Sequence, residues 1–76
     1  MPALSKNDLI HHISTTFSEE LAEVDIEEYF RMYTIKVIGV LKPEVEETAD
    51  LRQRMEVELD AHTMKNIKVE IALLKR

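Results

Sequence analysis

Seventy-six residues set a limit of one domain, 1–76, and the lack of cysteine excludes disulfides and thiolate zinc sites. A chain that is 45% hydrophobic and 33% charged is not compositionally disordered. A net charge of −5 argues against direct nucleic-acid binding, whose affinity comes from Lys and Arg set against phosphates. No stretch approaches the ~20 apolar residues of a membrane span. The start, Met1-Pro2-Ala3-Leu4, lacks the features of a signal peptide, so the expectation is a cytoplasmic protein with residues 1–4 as a flexible N-terminus. A core this small gains from a staple. With disulfides excluded, homodimerisation is the expected one.

The first predicted element is a helix from Ser5 to Phe17. Ser5 is a good N-cap and Asp8 follows at the capping-box spacing, while Leu9, Ile10, Ile13 and Phe17 share one face. Ser18 can cap a second helix whose first turn, Glu19-Glu20, suits the positive end of the helix dipole. Leu21, Val24, Ile26, Tyr29 and Phe30 then extend an apolar stripe, which places a helix as far as about Arg31. The β-branched run Thr34-Ile35-Lys36-Val37-Ile38-Gly39-Val40 predicts a strand over Tyr33–Leu41, with a helical reading as the alternative.

Pro43 ends that strand and opens a helix from Glu44 to about His62, with Glu44, Glu46 and Glu47 in its first turn. Its buried face is expected to hold Val45, Thr48, Leu51, Met55 and Leu59, with His62 at the margin. Asn66 breaks the pattern, and Ile67–Leu74 alternates as a strand does. The fold class is therefore α+β, a small α-α-β-α-β domain with parallel strands, its sheet completed to four strands by homodimerisation. An all-α helical bundle is the alternative.

Chemical motifs are sparse. His11 and His12 lie three and four residues after Asp8, the basis for an alternative reading as a weak metal-binding domain. No HxxxH or HExxH spacing supports it, and His62 falls on a different helix, so no metal ligand is expected. Pro2, once Met1 is removed, would carry the secondary amine that small tautomerases use as a base. Those enzymes open with a strand directly after the proline, whereas a helix cap follows here. Ser14, Thr15, Thr16 and Ser18 lack a nucleophile elbow and read as cap and turn residues. Tyr29, Phe30 and Tyr33 read as core or subunit interface, and Met55, on the helix stripe, as core. No catalytic or cofactor-binding residue is expected, and no cofactor.

The segment Ser5-Lys6-Asn7-Asp8-Leu9-Ile10, with a second helix ending near Leu41-Lys42, resembles the opening helical pair of the small histone-like bacterial DNA-bending proteins. The likeness covers about half the chain. It implies basic β-arms and a positive charge, and this chain departs from that pattern in both, with a net charge of −5.

Charge is the strongest remaining signal. Residues 1–50 carry 11 acids and 4 bases, and residues 51–76 carry 4 acids and 6 bases. Six of the acids, Glu19, Glu20, Glu23, Asp25, Glu27 and Glu28, fall within ten residues that contain no base. On a helix they would form an acidic face, and the expected partner is a basic protein, with a nucleic-acid-binding site as the surface occluded. The function expected is thus a small non-enzymatic regulator acting as a homodimer, an inhibitor resembling a DNA mimic. A structural or assembly subunit acting through its strand edge is the second expectation.

Overall fold

The computed structural model describes residues 5–31, 34–64 and 66–75, and of residues 28–31 the backbone only. Helix α1 (Lys6–Thr16) leads into strand β1 (Leu21–Arg31), which pairs with β2 (Thr34–Leu41). Helix α2 (Ala49–Ala61) and strand β3 (Lys68–Lys75) complete an α-β-β-α-β order. The sheet runs β1-β2-β3, antiparallel between the first two strands and parallel between the last two. Among the described residues, two helices and a three-stranded mixed sheet make a small α+β domain, the class the sequence predicts.

Helix α1 begins as its cap dictates. Ser5 is extended at φ −66°, ψ 165°, and its hydroxyl accepts from the Asp8 amide at 3.2 Å, satisfying one donor that the first turn leaves over. The helix stops at Phe17, and a turn follows in which the amides of Glu20 and Leu21 both donate to the Phe17 carbonyl.

Here the expected second helix is corrected to a strand. From Glu23 to Glu27 acids alternate with Val24 and Ile26, the period of a strand. Pairing settles the choice, because Val24 lies opposite Gly39, Asp25 opposite Ile38 and Ile26 opposite Val37. Tertiary hydrogen bonding thereby overrides the modest helix preference of Glu and Ala. Register shifts between Leu21 and Glu23, and between Ile26 and Glu28, let one strand carry both the helical-looking spacing at its start and the alternation that follows.

Strand β2 alternates as expected. Ile35, Val37, Gly39 and Leu41 are buried while Thr34, Lys36, Ile38 and Val40 are only partly so. Gly39 faces the helices, where a Cβ would lie 3.1 Å from Leu73 Cδ2 and 3.2 Å from Leu21 Cδ2. Its missing side chain lets those two leucines close over the central strand.

Helix α2 starts later than Pro43 suggests. Pro43 instead takes the second place of a turn, where its ring fixes φ suitably, and the Val45 amide donates to the Lys42 carbonyl at 3.0 Å. Thr48, expected on the buried face, is the N-cap, its hydroxyl accepting from the Leu51 amide at 3.0 Å. Leu51, Met55 and Leu59 are buried as predicted. Asn66, in the left-handed region at φ 67°, turns the chain into β3.

The core lies between the sheet and the two helices. Leu9, Ile13 and Phe17 from the first helical segment and Leu51, Met55 and Leu59 from α2 meet Leu21, Ile26, Ile35, Val37 and Leu41 from the sheet. Among the described residues no charged or polar side chain is buried. No described helix is long and apolar enough to cross a membrane. The expectations for residues 1–4, Met32 and Tyr33, and for the side chains of Glu28, Tyr29 and Phe30, lie outside the described residues.

Candidate functional site

With both helices on one side, the register defines what the other side of the sheet presents. Each outer residue of β2 has partners on both neighbours. Lys36 lies opposite Glu28 and Glu70, Ile38 opposite Asp25 and Ala72, and Val40 opposite Glu23 and Leu74. The centre of this face is therefore an apolar strip of Ile38, Val40, Ala72 and Leu74, with Leu74 52% exposed. Acidic residues of β1 flank it along one side.

The six clustered acids take three different situations. Glu19 and Glu20 belong to the turn before β1. Glu20 reaches toward α2, where its carboxylate accepts from Arg54 Nη1 at 3.2 Å. Arg54 also donates to Asp50 at 3.0 Å and lies 5.9 Å from the centre of the Phe17 ring. The hydrogen bond to Glu20, helped by Asp50, raises the Arg54 pKa above its ordinary value. Glu23 and Asp25 are exposed residues of β1, and Asp25 Oδ1 accepts from the Ile26 amide at 2.8 Å. Glu27 is exposed and lies 3.9 Å from Lys36 Nζ. Glu28 is opposite Lys36 in the backbone register. The expected helical acidic face is thus corrected to a strand edge and a turn, and Glu20 belongs to an ion-pair network with α2 rather than to the same surface as Glu23, Asp25 and Glu27.

The histidines are also rearranged relative to expectation. His11 is exposed on α1. His12, one residue on, turns toward α2, where its Nε2 lies 2.8 Å from Glu58 Oε2. His62, at the C-cap of α2, has its Nε2 3.9 Å from that same oxygen, and the two imidazole rings meet edge to face with centroids 4.3 Å apart. The separation of His62 from the others along the chain hid this meeting. The available signal was Glu58-x-x-x-His62, a carboxylate and an imidazole one turn apart on one helix face.

The edge strand β3 is held at two points. Arg52 Nη1 donates to the Ile71 carbonyl at 2.6 Å while its Nη2 pairs with Glu47 at 2.8 Å. Lys75 Nζ donates to the Val45 carbonyl and to Glu46, both at 2.8 Å. Even so, Val69, Ile71 and Leu73, which share the helix-facing register of Ile35, Val37 and Gly39, are only partly buried.

No protein-family model matches this chain, and no curated protein or solved structure does either.

Proposed function

We propose that this is a non-enzymatic interaction domain that docks a basic protein through the outer face of its sheet. The observation that carries the reading is that, among the described residues, no helix covers this face and an apolar strip lies beside a row of carboxylates. Apolar groups at the centre supply burial, and charges at the rim supply orientation and association rate. Glu23 and Asp25 fall one two-residue step apart, about 6.7 Å along an extended strand, and Glu27 follows at the register shift before Glu28. A linear row of that kind complements a linear row of Lys and Arg, such as a surface that otherwise binds phosphate. Occluding a nucleic-acid-binding site is the regulatory outcome this reading implies.

The test uses the immobilised full chain to capture protein from a native extract, beside a variant carrying Glu23→Gln, Asp25→Asn and Glu27→Gln. Glu20 is left intact because it holds Arg54. The wild type should retain a basic protein at low salt and release it at high salt, and the triple variant should retain far less. A folded triple variant that captures as much as the wild type overturns the reading.

A second reading, assembly through the edge of β3, is favoured by the incomplete cover over Val69, Ile71 and Leu73. Pairing of two β3 edges about a two-fold axis would join the sheets of two chains. Edge pairing is insensitive to salt where electrostatic docking is not, which separates the two.

A further inference from the structure

Two imidazoles and one carboxylate converge where α1 passes α2. One ligand atom from each of His12, Glu58 and His62 lies within 4.8 Å of the others. Glu58 and His62 are one helical turn apart, and His12 arrives from α1, adjacent to the buried Ile13 that fixes its helix against the core. Neither imidazole is sealed away. The side chains of His12, Glu58 and His62 are 32%, 36% and 20% exposed, so an ion can enter and water can complete its shell.

We propose that His12, Glu58 and His62 form a binding site for a divalent transition-metal ion, with Zn²⁺ as the best fit. Two nitrogens and one carboxylate oxygen suit zinc, and also cobalt or nickel, whereas magnesium and calcium take oxygen-rich shells. Zinc binds such ligands at roughly 2.0–2.2 Å in a tetrahedron, which sets ligand atoms a little over 3 Å apart. The observed separations of 2.8 and 3.9 Å from Glu58 Oε2 bracket that spacing, and all three ligand atoms lie within 4.8 Å of one another, so side-chain rotation must close the remaining gap. Three protein ligands leave the fourth position to water.

The chemistry of the cluster points the same way. A single carboxylate oxygen faces two imidazole nitrogens, and only His12 is within hydrogen-bonding distance of it. The His62 Nε2 at 3.9 Å has a lone pair to give when neutral. A dication accepts electron pairs from all three groups at once, which a shared proton cannot do. The ion would also tie α1 to α2 in a cysteine-free chain, supplying the kind of staple that small domains commonly use. This site is independent of the outer sheet face, since it lies on the helical side.

The test uses the full chain freed of metal with a chelator and titrated with Zn²⁺ alone. Calorimetry and native mass spectrometry should give one zinc per chain, and the thermal midpoint should rise with zinc but not with Mg²⁺. His12→Gln, Glu58→Gln and His62→Gln should each weaken zinc binding by at least tenfold, while His11→Gln leaves it unchanged. If a ligand variant fails to fold, the imidazole ¹⁵N signals of the wild type decide: zinc should shift His12 and His62 and leave His11 in place. No saturable zinc binding, or zinc shifts confined to His11, overturns the proposal. So does undiminished affinity in the three folded ligand variants.

Discussion

Leu59 is fully buried on α2 against the sheet, and it marks how much a single side chain carries here. Leu59→Ala should cost about 2–5 kcal/mol of stability, the loss of transfer free energy plus the cavity left behind. Ile71 faces the same core but is only partly buried, so Ile71→Ala should cost less than Leu59→Ala. Urea denaturation midpoints of the two variants provide the check, and equal losses would mean that β3 is covered as completely as α2. Residue-scale chemistry was legible wherever it is local. Ser5 caps α1 because its hydroxyl and the Asp8 amide are three residues apart in any helix that starts there. The pairing of His12 with Glu58 was not legible, since 46 residues separate them and only the packing of two helices brings them together.

Among the elements, sequence preference and structure part at residues 18–31, a turn and strand where helical spacing predicts a helix. Glu, Ala and Leu favour helices, and Leu21, Val24 and Phe17 have helical spacing. The alternation of Val24 and Ile26 with acids was the opposing signal, and the adjacency of β2 as an antiparallel partner decided in its favour. The start of α2 shows competition between two stop-and-start signals. Pro43 is a good first helical residue, yet it serves the turn out of β2 equally well, and Thr48 supplies the side-chain oxygen that a helix N-terminus needs. Thr48→Ala should therefore destabilise the domain by about 0.5–2 kcal/mol. Thermal melts by far-UV circular dichroism measure it, and Thr48→Ser should recover most of the loss because the hydroxyl is retained.

For the whole molecule, the charge split becomes spatial. The acids of β1 lie at one edge of the sheet and β3, with Lys68 and Lys75, at the other. Two chains meeting through β3 would keep both acidic edges outermost, so docking and self-association do not compete. Light scattering at micromolar concentration should then give about twice the 8.9 kDa chain mass. A clean monomer would exclude pairing through β3 at that concentration. Raising salt should leave the dimer intact, because edge pairing rests on backbone hydrogen bonds and apolar contact.

Local spacing along the chain dictates the class of object: a small α+β domain, its first helix with its cap, its central and last strands, and the apolar stripe Leu51, Met55 and Leu59 of the second helix. Each of these is written in local spacing, where propensity, capping and periodicity agree. Residues 21–31 take their state from long-range pairing, because local preference there is divided and a neighbouring strand supplies the hydrogen bonds that break the tie. Long-range pairing also turns Glu20 toward Arg54 and leaves Glu23, Asp25 and Glu27 on the outer side, since facing depends on register. The meeting of His12 with Glu58 and His62 belongs to the same class, because contacts between distant segments arise only when their helices pack on a common sheet.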